Sequence, residues 1–375
     1  MRIAINARLL VGQSYTGVHL YVYNVLCELL RQLPNDDFLV ITDRQGPLPA
    51  LPRHVERVTV GPPARHPILF VAWFEWSLPR AAESWGADVL VSLENLGSLR
   101  TKVPQLLVVH DLAYLHQPEG VGALVRAYYR YFMPRFVHRA DTLLTVSKAT
   151  KQDVAAAYDV DPSKIQVAYN GVRPRFTRLS AKQVTSVRER LTEGQPYFVY
   201  VGSVHPRKNV DGLIRAYSRF RESSGQPHHL VIAGRFAWQA GPTRDALEAS
   251  PFREDIHLLG YVEEEQLGEV IGAATALVLV SHFEGFGVPV VEAHTCGVPV
   301  IASNTSSLPE VTGPGGLLVD PADDEAIAGA MAKLATDDAL RQVLAKAGEE
   351  HAKQFIWAAA GEVVVEALRE LVLEN

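Results

Sequence analysis

The stretch HFEGFGVPVVEAHTCGVPVIASN runs from His282 to Asn304 and sets two carboxylates, Glu284 and Glu292, on either side of a Gly-Phe-Gly turn. A second charged pair, Arg207-Lys208 within HPRKN (205–209), directly follows the apolar run YFVYVG (197–202). Two cations at a helix entry oppose the helix dipole, which favours negative charge at that end. An anionic ligand resolves the conflict, because arginine offers a planar fork to phosphate and lysine a point charge. The alternative is a solvated pair at a helix start. Glu284 lies beside backbone N–H groups of Phe286 and Gly287 that can face an anion. A carboxylate there would be repelled by phosphate, so its chemistry is to accept hydrogen bonds from hydroxyls. With Pro289 read as the first helical residue, Glu292 falls in the first helical turn, where a carboxylate is favoured without any ligand. Such a loop suits a molecule with a phosphate part and a hydroxyl-rich part, and a nucleotide sugar is one.

Two further motifs carry less. GQSYTGVH (12–19) has the glycine spacing of a phosphate loop, but Val18-His19 stand where Lys-Ser/Thr belongs, and no GxGxxG is present. It reads equally as an anion-binding helix entry or as a plain strand–helix turn. Asp159-Val160-Asp161 has the DxD form of a metal–diphosphate site but lies in a loop closed by Pro162, which disfavours a metal there.

These groups need elements to carry them. Apolar runs that suit strands recur at 2–6, 38–42, 55–60, 88–92, 105–110, 142–146 and 165–169, then at 197–202, 229–234, 256–260, 276–281, 299–303 and 316–319. Amphipathic helical patterns lie between most of them, which predicts buried parallel strands covered on both faces. The series pauses at NGVRPRFTRLSAKQ (170–183). The expected fold is therefore α/β, with two doubly wound domains over 1–172 and 173–353 and a closing helix over about 354–375. Ligands of such sheets sit beyond the carboxyl ends of the strands, so the cleft between facing sheets is the expected site. A length of 375 residues agrees with two domains.

Composition excludes little else. Net charge is −6, which argues against nucleic acid as the partner. Residues 1–175 carry 19 Lys and Arg against 15 Asp and Glu, whereas 176–375 carry 17 against 27. The asymmetry fits either a half that faces an anionic surface or chance. Cys27 and Cys296 form no disulfide framework. The N-terminus lacks a signal-like pattern and no apolar run reaches 18 residues, so a cytoplasmic location is expected. ALVRAYYRYFMPRFVHR (123–139) mixes four arginines with aromatic residues and reads as two short helical pieces broken at Pro134. Either it rests on anionic lipid or it packs on the core with solvated arginines.

The stretch 282–303 resembles the E-x7-E signature of glycosyltransferase family 4, the retaining transferases of GT-B fold. VVHDLAYLHQPE (108–119) is similar to that family's His-Asp segment, and YVGSVHPRKNVDGLIRAY to its phosphate-binding segment. ADTLLTVSKATKQDVAAAYDVDPSKIQVAYNGV, SLPEV, LLVDPADDEAIAGAM and the closing QFIWAAAGEVVVEALREL match in the same order. The resemblance implies that Glu284 binds donor-sugar hydroxyls and Glu292 the ribose. Gly285, Phe286 and Gly287 would meet sugar and phosphate, and Arg207 and Lys208 would neutralise the diphosphate leaving group. Gly17 would let the first helix approach that diphosphate, and His110 would lie near the transferred sugar on the acceptor side. It further implies reaction on one face of the sugar, with the acceptor proton taken by the leaving diphosphate and with neither metal nor cofactor. Pro-Arg-Lys-Asn members look like mannosyltransferases of surface polysaccharide assembly. The favoured donor is therefore GDP-mannose, with a UDP-sugar as the alternative, and the acceptor a glycan or lipid-linked hydroxyl. The last would allow peripheral contact with the inner face of an anionic membrane.

Ser203 stands where many members carry Arg, His294-Thr295 replace Met-Ala, and Thr305-Ser306 replace a glycine-containing pair. Base selectivity is expected around Phe236 to Ala240 and Gly260 to Val262. A phosphorylase or sucrose-type synthase of the same fold and a non-catalytic sugar-binding protein are the rivals. The absent GxGxxG disfavours a nicotinamide oxidoreductase.

Overall fold

The structure is a computed structural model that describes residues 1–12, 17–51, 55–235 and 241–373. The chain divides into two compact units, Met1–Gly171 with Ile356–Asn375, and Val172–Phe355. The division falls one and two residues from the boundaries read from the sequence.

Among the described residues, the first unit holds seven strands: β1 Arg2–Asn6, β2 Asp37–Thr42, β3 Glu56–Thr59, β4 Val89–Ser92, β5 Gln105–Val109, β6 Thr142–Thr145 and β7 Ile165–Val167. Their order is β3-β2-β1-β4-β5-β6-β7, and every pair is parallel. The second unit holds six: β8 Tyr197–Val201, β9 His229–Ala233, β10 Ile256–Gly260, β11 Ala276–Leu279, β12 Val300–Ser303 and β13 Gly316–Val319. They run in the order β10-β9-β8-β11-β12-β13, again all parallel. Central strands such as β4 and β8 are buried at every position, while the edges β3 and β10 are mostly exposed or half-buried. Helices therefore cover both faces, which is why the runs read as continuously apolar rather than alternating.

Strand order reverses direction between β1 and β4 in one unit and between β8 and β11 in the other. At such a switch point the loops leaving the two neighbouring strands diverge and open a crevice beyond the carboxyl ends. Arg207 and Lys208 follow β8, and Glu284 follows β11.

The closing helix, Trp357–Leu373, belongs to the first unit and packs on the helix Val18–Gln32. Gly361 permits the approach, since a Cβ there would come within 2.6 Å of Glu28 Cβ. Segment 123–139 corrects the expectation of a break: Ala123–Arg139 is one helix with Pro134 inside it. Proline removes a single hydrogen bond, and stacked rings bridge the gap, Tyr128 to Phe132 at 4.6 Å and Phe132 to Phe136 at 5.5 Å. Among the described residues, no helix is long and apolar enough to cross a membrane.

Candidate active site

The cations are placed by a tight turn. His205 is extended, and its Nδ1 accepts the Arg207 N–H at 3.3 Å. Pro206–Lys208 then form one 3-10 turn, ended by Asn209 in the left-handed region at φ 53°. Asparagine tolerates that conformation better than most residues. Its buried amide donates to the carbonyls of Val280 (3.1 Å) and Pro321 (2.7 Å), which ties the turn to the ends of β11 and β13. The helix Val210–Ser224 starts next, so the two side chains stand ahead of it rather than within its first turn.

The acidic loop is clamped by the end of β12 and the segment after it. Ser303 Oγ donates to the Ser281 carbonyl at 2.5 Å, and Ser306 Oγ accepts the Glu284 N–H at 3.0 Å. The Ser307 hydroxyl lies 2.9 Å and 2.8 Å from the carbonyls of Glu284 and Phe286. Phe286 is buried with its ring edge on Phe355. Gly287 has φ 103°, and a Cβ there would meet Leu308 at 2.7 Å, so only glycine fits.

The structure brings Arg207, Lys208 and Glu284 together. Lys208 Nζ and Ser281 Oγ both donate to Glu284 Oε1, and Arg207 donates to Oε2 at 3.1 Å. Arg207 also reaches the Phe283 carbonyl, while its own carbonyl accepts the His282 N–H at 2.9 Å. Glu284 is only 6% exposed. Burial alone would raise its pKa, but Lys208, then Arg207, with hydrogen bonds from Lys208 and Ser281, pull it down to about 2. The carboxyl is therefore charged at any physiological pH. Two cations around one anion leave a net positive crevice that can still take a phosphate.

Glu292 corrects the expectation of a helix-end carboxylate. The helix is Val288–Thr295, Pro289 is its second residue, and Glu292 lies beyond the first turn. It is buried and takes a 2.7 Å bond from Arg173, which also pairs with Glu264. Burial raises its pKa, opposed by Arg173. Without that guanidinium an ionised carboxylate there would be untenable.

Gly17 and His110 lie in the first unit. Gly17 precedes the helix Val18–Gln32 with φ 53°, a conformation that requires glycine there for backbone reasons. Its neighbours 13–16 lie outside the described residues. His110 is buried, and its Nε2 sits 2.9 Å from the Leu93 carbonyl. A carbonyl only accepts, so Nε2 carries the proton and Nδ1 is the acceptor. Burial lowers the ring's pKa and keeps it neutral. The backbone N–H of His110 donates to Asn95 Oδ1 at 2.6 Å, and the Tyr21 ring meets the imidazole in a T-shaped contact at 4.8 Å.

Sequence reasoning missed Asn209, Arg173, Ser281 and Ser307. It also missed a polar network beyond β1 and β4, where Arg8 grips Glu94 with two nitrogens and Asn6 Nδ2 donates to Glu94 at 2.7 Å. A charged residue just past each strand at the switch point is the signal that would have found the latter pair. Asp159 and Asp161 serve their turn: the first ends the helix Lys148–Tyr158 at φ 54°, and the second accepts the Ser163 N–H at 2.8 Å. Of the base-selectivity loops, 236–240 lie outside the described residues. In the other, Arg235 lies over the Tyr261 ring at 4.3 Å.

A model described as glycosyl transferases group 1 matches residues 182–351, and one described as glycosyltransferase family 4 matches residues 15–176. Both models are of glycosyltransferases, and one lies in each half of the chain. Among similar proteins is O-antigen chain mannosyltransferase B of Escherichia coli, 30% identical over 220 residues, 58% of each chain. The match thus spans somewhat over half of that relative's length. O-antigen chain mannosyltransferase RfbU of Salmonella typhimurium is 25% identical over 271 residues, 72% of this chain and 71% of that protein. Sucrose-phosphate synthase from Thermosynechococcus elongatus shares the fold, with a TM-score of 0.78 at 19% identity over 100% of both chains. That fold is GT-B, two Rossmann-like α/β domains.

Two departures from the usual family 4 pattern now have a structural account. Ser306 adopts φ 51°, the region that favours glycine, and its hydroxyl gains the Glu284 N–H in exchange. His294 is fully buried with Nε2 3.0 Å from the Thr312 carbonyl, and burial drives its pKa down to about 4. Room for the ring comes from Gly348 and Gly315, where a Cβ would lie 2.4 Å and 2.5 Å from it.

Proposed function

We propose that this chain is a family 4 glycosyltransferase, a retaining, metal-independent hexosyltransferase that moves mannose from GDP-mannose to a hydroxyl of a glycan or lipid-linked acceptor in surface polysaccharide assembly. The observation that carries the reading is the charged Glu284 carboxylate held between Lys208 and Arg207 at the switch point of the second sheet. On donor binding the diphosphate takes up the two cations, and Glu284 turns to the sugar hydroxyls. The bond from the anomeric carbon to the phosphate oxygen breaks as the bond to the acceptor oxygen forms on the same face. The acceptor proton passes to the departing phosphate. Positive charge fixed beside the leaving group is stronger in the transition state than in the bound donor, which is what accelerates the step. Mannose and the polysaccharide setting are supported by the names of the two bacterial relatives.

Transfer measured over a panel of nucleotide sugars, with the product anomer read by NMR, tests this. Mannose transfer with retention that survives EDTA is expected. Inversion, or an absolute need for added Mg²⁺ or Mn²⁺, overturns the mechanism; preference for a UDP-sugar overturns only the donor. We further propose that helix Ala123–Arg139 meets an anionic membrane, since Leu124 and Tyr131 are 54% and 55% exposed among Arg130 and Arg135. Equal co-sedimentation with anionic and neutral vesicles would end that idea.

A further inference from the structure

The amino ends of the second unit's strands face an open cavity of about 520 Å³. Its wall includes Pro196, His228, Thr275 and Pro299, which immediately precede β8, β9, β11 and β12. The cavity therefore lies at the end of the sheet opposite Arg207, Lys208 and Glu284. Three arginines line it, from 178, 188 and 341.

Their compensation is incomplete. Arg178 reaches Glu349 at 3.2 Å, and Arg341 is held by Asp338 and the Leu334 carbonyl. Asp338 is 78% exposed, so its charge is largely spent on solvent. Arg188 donates Nε to the Ala273 carbonyl at 2.9 Å, and among the described residues no carboxylate pairs with it. Burial, with Arg341 adding to it, lowers the Arg188 pKa despite Tyr197. His228 is 4% exposed, and its Nδ1 has no hydrogen-bond partner among the described residues. Burial, then Arg341 and Arg188, push that imidazole down to about 4, so it is neutral. A half-buried group of like charges with an orphaned polar ring destabilises the fold unless something negative joins it.

We propose that this cavity is a second ligand site, which binds a phosphomonoester-bearing small molecule of about the size of a sugar phosphate. Guanidinium forks take two phosphate oxygens each, and the neutral His228 ring and the Gln342 amide offer further polar contacts. The volume lies within the roughly 300–1,000 Å³ usual for small-molecule sites. The two rim carboxylates, Glu349 and Asp338, oppose an anionic guest, but they are paired to Arg178 and Arg341 rather than to Arg188.

The test is thermal melting of the full chain with inorganic phosphate and with a hexose phosphate, each against chloride at equal ionic strength. A saturable rise in Tm is expected with both, larger with the hexose phosphate. Arg188→Gln and Arg341→Gln should each weaken the response about tenfold or more. Neither should melt below the parent in phosphate-free buffer, because each relieves repulsion. Lys208→Ala should keep the response to inorganic phosphate. Arg188→Lys, which keeps charge but loses the fork, covers failure of the glutamine variant to fold and should weaken the response less. As an independent readout, the His228 ring signals should move on phosphate titration. Equal shifts in chloride and phosphate, a response that survives both arginine variants, or one abolished by Lys208→Ala would overturn the proposal.

Discussion

The two ends of the second sheet treat positive charge differently. At the carboxyl end, Arg207 and Lys208 converge on one buried carboxylate and the site is internally compensated. At the amino end, Arg188 and His228 are buried or half-buried with no carboxylate paired to them among the described residues, and Glu349 and Asp338 stand on the rim. A compensated site is stable when empty but makes an incoming anion compete with Glu284. An uncompensated one is costly when empty and gains most from the anion itself. The first arrangement suits a substrate that must leave after each turnover, because the carboxylate reclaims its cations.

The largest effect should follow loss of that carboxylate. Glu284→Gln keeps the shape and removes the charge, so transfer should fall about a hundredfold or more, on the scale of one key polar contact. Nucleoside diphosphate should bind at least as tightly as before, since its competitor is gone. Near-normal turnover would mean that Glu284 serves only the loop.

Next comes acid stability. The Glu284 carboxyl titrates near 4.5 when unfolded and about 2 when folded. A depressed folded pKa contributes stability that is present above the unfolded value and lost as pH falls toward the folded one. The contribution is roughly 3 kcal/mol. Urea midpoints of wild type should therefore fall between pH 4.5 and 2 more steeply than those of Glu284→Gln. Parallel curves would show that the pair contributes nothing.

Lys208→Ala removes one charge-assisted contact, which should cost nucleoside diphosphate about 1.5–3 kcal/mol in binding free energy. Transfer should fall further, because charge on the leaving group grows in the transition state. Isothermal titration followed by turnover separates the two. Unchanged binding would assign the diphosphate elsewhere.

These predictions rest on groups that differ in how visible they were in the sequence. The thirteen strands of the described residues all appeared as apolar runs, and in the central ones burial on both faces leaves no alternation to misread. Arg207, Lys208 and Glu284 were legible for a related reason: each follows a strand by a few residues, and strand ends fix where the chain emerges. Arg173 was not, since it stands 119 residues from Glu292, and no local pattern announces a partner that distant. Asn209 was hidden because its two acceptors, Val280 and Pro321, are backbone carbonyls, which any residue type supplies. Pro134 misled because the rings that bridge it act at i and i+4 along the helix, a side-chain compensation that backbone propensity does not contain. The amino-end cavity was invisible altogether: Arg178 comes from a loop, Arg188 and Arg341 from two separate helices, and they acquire meaning only when the fold gathers them.

The smallest effect belongs to the rim of that cavity and separates the two ends most directly. Asp338 pairs with Arg341 one turn away on the helix Asp338–Ala352, but water surrounds most of its side chain. Ion pairs so exposed contribute about 0–1 kcal/mol, because solvent screens the attraction and two long side chains must be ordered to make it. Asp338→Asn should therefore lower stability by less than about 1 kcal/mol in urea unfolding, including any loss of favourable charge at the helix start. Its response to added phosphate should be kept or strengthened, since a competing carboxylate has gone. At neutral pH Glu284→Gln should be more destabilising, because it strips a partner from cations already withdrawn from water. If the two variants cost the same, the ends of the sheet do not differ in compensation, and the contrast between a self-neutralised site and an open one fails.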